Sequence, residues 1–155
     1  MKGVINPDDI CSALYARLYG DAVFRSMVTS ITKGPKRPNP PPGQNRPKNP
    51  SATVHVLTAV VDEELGSVRS TAVVNVYVDD LPSGQMDAQG LGQRSQRVQY
   101  LLHKAHLPGH PAGRLNDPYL RFHTVYVSEP LLLPGDVVGE HMASVRLNMI
   151  LETKE

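Results

Sequence analysis

His103, His106 and His110 lie close together in the chain, and three imidazoles in such a short stretch raise the question of a metal site. A zinc site needs nitrogen or thiolate donors converging on one point, usually with recognisable ligand spacing. These histidines straddle the expected end of a helix and the Pro–Gly loop LPGHPAG at 107–113, with no carboxylate or cysteine at such a spacing. They read as surface histidines. His123 and His141 fall on or beside expected strands, where solvent or a neighbouring subunit accounts for them. The acidic runs DEE at 62–64 and DD at 79–80 have the chemistry to hold magnesium, yet both sit where strands end, as solvated turn residues do. Cys11 is the single cysteine. It excludes an internal disulfide and a multi-cysteine zinc site, fits a reducing compartment, and reads as a packed thiol rather than a nucleophile. No GxSxG elbow or phosphate-cradling P-loop is present, and GLG at 90–92 follows a polar loop rather than a buried strand. Catalytic, cofactor-binding and metal-binding residues are therefore all expected to be absent, and the chain is read as a non-enzyme.

Binding is the stronger expectation. Residues 34–50, GPKRPNPPPGQNRPKNP, hold seven of the 14 prolines and no acidic residue. With Lys33 at the edge, Lys36, Arg37, Arg46 and Lys48 place five of the 16 basic residues here. That leaves 11 basic against 15 acidic residues elsewhere, a mildly acidic body carrying a basic loop. Such a loop can meet an acidic protein surface or nucleic-acid phosphates without sequence specificity. Against independent nucleic-acid binding, aromatic residues are 5% of the chain and none lies in 34–50, so there is no stacking surface. PNPPP at 38–42 also offers a short SH3-type ligand, a motif that arises readily from composition. The sites expected to matter are Lys36, Arg37, Arg46 and Lys48, acting in protein interaction.

The elements follow from periodicity. Residues 6–19 predict a helix, with Asn6 as N-cap, Pro7 at its first position, Asp8 and Asp9 at the positive end of its dipole, and Ile10, Leu14 and Leu18 as the buried stripe. Gly20 stops it, and Asp21 caps a short helix holding Val23, Phe24, Met27 and Val28. Residues 52–61 alternate as a strand, with Val54, Val56 and Val60 expected on one face and Leu57, Ala59 and Val61 on the other. Residues 68–80 form its hairpin partner, with Ala72, Val74, Val76 and Val78 on one side. Leu91, Val98, Leu101, Leu102 and Ala105 mark a third helix, weakened early by Gly90 and Gly92. Two more strands follow, at 119–127 (Leu120, Phe122 and Tyr126 together) and 141–151. The apolar SEPLLLPGDVVGE between them is broken by Pro and Gly and is left without an element. The fold class is α+β, a mainly antiparallel sheet of four or more strands packed against helices, with a long Pro-rich loop. Residues 1–33 hold too few apolar residues to fold alone. The whole of 1–155 is expected to be one domain, and 34–50 a loop within it rather than a linker. No apolar run approaches the roughly 20 residues that span a bilayer, and Pro7, Asp8 and Asp9 interrupt any signal-peptide core.

ICSALYARLYGDAVFRSMV near the start, VVNVYVDD before GQRSQRVQYLLHKA, and the closing SVRLNMILE form a pattern over most of the chain. It resembles the tail-terminator, or tail-completion, proteins of long-tailed (siphovirus-like) bacteriophages and related prophages. The long Pro-rich segment is a departure from that pattern. The resemblance implies a subunit of the virion, made in the host cytoplasm, that forms a ring, commonly a hexamer, at the head-proximal end of the tail. That ring would cap the tail tube and mediate head–tail joining. The partners implied are further copies of itself, the tail tube protein, a head–tail connector protein, and non-specific DNA in the lumen. The alternative readings are another connector subunit (head-closure or adaptor) and, from a different class, an enzyme or nucleic-acid-binding module.

Overall fold

The computed structural model describes residues 5–35, 37, 42–43, 48–62 and 66–154. Among these lie three helices, α1 (Pro7–Tyr19), α2 (Ala22–Met27) and α3 (Ala88–Leu102). Six strands accompany them: β1 (Ser30–Lys33), β2 (Ser51–Asp62), β3 (Ser67–Asp79), β4 (Leu120–Val127), β5 (Leu131–Pro134) and β6 (Glu140–Thr153). The strands form one mixed sheet in the order β1-β2-β3-β6-β4, with β5 also on β6. Only the β1–β2 pair is parallel. The fold is α+β, and the sheet is larger than the four strands that alternation revealed. β1 and β5 are four residues each, too short to show a period.

The helices begin where their caps dictate. Asn6 accepts the Asp8 amide at 3.0 Å, and Asp21 accepts the Phe24 amide at 2.8 Å. At α3 the N-cap is Asp87, which accepts the Gly90 amide at 2.9 Å. A Cβ on Gly90 would lie 2.3 Å from the Asp87 carboxylate, so the glycine that weakens the helix also admits its cap. The helix ends at Leu102, earlier than the stripe implied; Ala105 is buried from the loop beyond it.

All three helices lie on one face of the sheet. Ile10, Leu14 and Leu18 of α1, Phe24 of α2, and Val98, Leu101 and Leu102 of α3 share one core with the sheet. Its strand side is formed by Ala52, Val54, Val74, Val145, Leu147 and Leu151, among others. Arg97 holds α3 to α2 through a two-pronged bond with Asp21, at 2.8 and 2.9 Å. That bond, with the Phe24 amide, outweighs partial burial and holds the Asp21 carboxyl below its ordinary range.

Two β-bulges change which residues face the core. In β2 the pairing with β3 shifts between Val56 and Thr58. Val54 and Val56 face the helices as expected, but Val60 pairs with Arg69 and turns to the opposite face, 62% exposed. In β4 the pairing with β6 shifts between Phe122 and Thr124. Val125 is thereby fully buried, while Tyr126, expected beside Leu120 and Phe122, is turned outward. An extra residue in one strand inverts the alternation beyond it, and strict period-two reading carries no sign of that.

Candidate assembly surfaces

The Pro-rich segment crosses between the parallel strands β1 and β2, and its two described ends are fixed to the rest of the chain. Gly34 donates its amide to Val54 O at 2.8 Å. At the far end Thr29 donates its hydroxyl to the Lys48 and Pro50 carbonyls. Between these ends, Arg37 turns inward. It is 7% exposed and forks onto the Glu140 carboxylate with two bonds of 2.7 Å. A third bond reaches Asp136 at 3.1 Å, and the guanidinium lies 4.1 Å from the centre of the Tyr77 ring. Asn49 completes the cluster. Its oxygen accepts from Arg37 at 3.0 Å, and its amide nitrogen donates to Glu140 at 2.6 Å and to Asp79 at 2.7 Å.

Burial alone would raise the Glu140 carboxyl. The bonds from Arg37, Asn49 and the Asp136 amide outweigh it and hold that carboxyl below its ordinary value. The same exchange runs in reverse for Arg37, where burial is outweighed by Glu140 and Asp136 and the charge is made firmer. Arg37 was expected to be an outward-facing contact for a partner; it is instead committed to acids of its own chain. Lys48 is exposed, whereas Lys36 and Arg46 lie outside the described residues.

Glu140 opens β6, so this cluster also clamps the turn between β5 and β6. The turn closes with the Gly135 amide on Glu140 O at 2.8 Å and the Asp136 amide on the Glu140 carboxylate at 2.9 Å. A Cβ on Gly135 would come within 2.5 Å of the Glu140 side chain, so the residue there has to be glycine for the carboxylate to reach Arg37. The clamped hairpin belongs to the sheet, since β6 pairs with β3 on its other side, and its outer strand and turn form an edge arm with an apolar surface. Leu131, Leu132 and Leu133 of β5 are all exposed, as are Val137 and Val138 in the turn. The sequence signal was present in PLLLP: a run that is apolar without alternation and bounded by prolines.

The sheet face away from the helices is covered at the Arg37 end, where Ser51, Thr53 and Tyr77 are buried, and open toward the two bulges. Where the two bulges turn Val60 and Tyr126 outward, these residues line a groove of about 630 Å³ with Arg69, Asn148 and Ile150. Thr71 and Asn148 join across its floor at 3.3 Å.

The histidines serve structure. The Nδ1 atoms of His103, His106 and His110 accept the amides of Val127, Val125 and Ala112 at 3.0, 3.1 and 3.1 Å. His103 and His106 also pack against Tyr126, with ring centroids 6.0 and 5.8 Å apart. They are thus partly folded into the loop after α3 and not simply solvent-facing. Burial, with Arg114, Lys104 and His103 nearby, lowers the pKa of His106. Arg17 anchors the same loop, donating to Leu101 O and Ala112 O at 3.0 Å each and to Gly113 O. Among the described residues no group of three or more His, Cys, Asp or Glu is placed to hold a metal ion. Asp79 of the DD pair is bonded to Asn49, and Glu63 and Glu64 lie outside the described residues. No described helix is long and apolar enough to cross a membrane.

No family model matches the chain, and no curated protein matches it. A solved structure does. The chain is similar to a chain in the virion of a native gene transfer agent particle, with a TM-score of 0.62 over 92% of this chain and 94% of that one. At 15% identity, the two share a fold over nearly their whole lengths.

Proposed function

We propose that this protein is a structural component of a phage-like virion, and within it the tail terminator. In this reading it forms a ring, commonly six copies, that caps the head-proximal end of the tail tube, ends tail polymerisation and mediates head–tail joining. The observation that carries the reading is the near full-length fold likeness to a chain of a gene transfer agent virion. The pattern of VVNVYVDD, GQRSQRVQYLLHKA and SVRLNMILE supports the finer assignment. A protein whose distinctive surfaces are an apolar arm, a partly open sheet face and a clamped loop is suited to binding other subunits. Partners in this reading are further copies, the tail tube protein and a head–tail connector protein. Lys36, Arg46 and Lys48 would lie toward an acidic neighbour or toward DNA in the lumen.

Particles assembled with and without the protein, imaged by electron microscopy, test the reading. Without it, filled heads and tails of irregular length should accumulate unjoined. Normal joined particles would rule the terminator out. A head-closure or adaptor subunit fits the same likeness, because the similar chain is one of those in a whole particle. That role would leave tails of uniform length and heads that fail to retain DNA.

A further inference from the structure

We infer that the β5–β6 arm of one copy seats in the sheet groove of the next, so that the ring is joined head to tail. The inference rests on the ring-forming reading above and names the two surfaces that make it. The arm pairs with β6 over residues 141–144, and its turn lies beyond residue 140. The groove lies beside residues 148–150 of the same strand. Leu131 pairs with Ser144 and Tyr126 with Asn148, so Leu131, Leu133 and the groove share one sheet face and begin four residues, about 13 Å, apart along β6. Both are fixed in one sheet, so no copy can fill its own. An arm and a receptor formed by different residues of one subunit make a heterologous contact, the kind that closes into rings when the rotation between copies allows it.

The chemistry of the two surfaces matches. The arm offers Leu131, Leu132 and Leu133 with the exposed carboxylate of Glu129 just before them. The groove offers Val60, Tyr126 and Ile150 beside Arg69. Arg69 is exposed and has no ion-pair partner among the described residues. Apolar side chains would leave water together while opposite charges meet at the rim.

The backbone of the arm argues that side chains make this contact. Gly135 and Glu140 form a hydrogen-bonded pair, and alternation then gives Leu133–Met142 and Leu131–Ser144 as the next inward pairs. The outward positions of β5 are Leu132 and Pro134. Proline has no amide to offer, so the edge presents one donor and cannot template another strand.

The test uses full-length protein, with assembly size read by native mass spectrometry and sedimentation over a range of concentrations. The arm variant is Leu131→Asp with Leu133→Asp. The groove variant is Val60→Asp, with Arg69→Glu as a second groove variant that removes no apolar surface. All these positions are exposed, and circular dichroism should match the parent. Each aspartate variant should weaken self-association about tenfold to a hundredfold, from lost apolar burial. Mixed together, arm and groove variants should pair one to one and stop, because each keeps the surface the other lacks. If the parent forms rings and the variants form them equally well, the docking is overturned while the ring reading stands. If both variants lose assembly and do not pair on mixing, the contact joins like surfaces and the head-to-tail arrangement is overturned. A parent that stays monomeric at every concentration overturns the ring reading, and the docking with it.

Discussion

Arg37 shows how far one residue's role can move once its neighbours are known. In the sequence it is one of five cations in an acid-free stretch; in the fold it is buried against Glu140. Removing one partner of a buried pair leaves the other charge stranded, so Arg37→Ala should cost about 3–5 kcal/mol in urea unfolding. Arg37→Lys should recover only part of that, since an ammonium cannot fork onto a carboxylate. Lys48→Ser, on an exposed residue, should change stability by less than about 0.5 kcal/mol. Acid should weaken the protein in two stages. The folded state lowers the His106 pKa below its ordinary 6.5, so the unfolded chain takes up that proton first. Stability therefore falls as pH drops from 6.5 to the folded value. Glu140, held below its ordinary 4.5, contributes stability that is present above that value and lost as pH falls through the folded one. Unfolding free energy measured against pH should show both limbs. His106→Asn, which keeps an acceptor for the Val125 amide, should remove the first limb, and Glu140→Gln the second.

At the scale of elements, α1 is where sequence and structure agree most closely. Its cap, its proline, its acidic first turn and its four-residue stripe are all local features, and local features are what a sequence displays. Leu14 is fully buried, so Leu14→Ala should cost about 2–5 kcal/mol by chemical denaturation. A loss under about 0.5 kcal/mol would mean that the helix does not depend on the sheet. The long strands β3 and β6 were legible for a similar reason: their alternation runs unbroken. Val60 and Tyr126 were placed on the wrong faces because a bulge is decided by the partner strand, which period-two counting ignores. Those two residues, with Ile150, give the groove its apolar lining, so the surface proposed for docking was the least readable. β5 and the Arg37–Asn49–Glu140 clamp were hidden for another reason. They join positions far apart in the chain, and no local pattern announces that Glu140 will meet Arg37.

For the whole molecule, the other loop cations and the clamp should make separable contributions. Replacing Lys36, Arg46 and Lys48 with Ser, while sparing Arg37, should leave the melting temperature within about 2 °C of the parent. If these cations meet an acidic neighbour, the variant should assemble less well at low salt and lose part of the parent's salt dependence, since exposed charge pairs are screened. Equal assembly at every salt concentration would make the loop a passive connector. The clamp, by contrast, ties the crossover between β1 and β2 to the base of the arm, so disturbing either end should loosen the other. Pro134 carries a consequence for the time before assembly. In the proposed assembly, a subunit awaiting its neighbours has three leucines on an open sheet edge, the kind of strand that seeds fibrils when concentrated. With a proline at an outward position, that edge can be sticky toward a shaped groove yet inert toward its own kind. A stored stock should stay clear, and Pro134→Thr, which restores an outward amide, should shorten the lag before fibrils form.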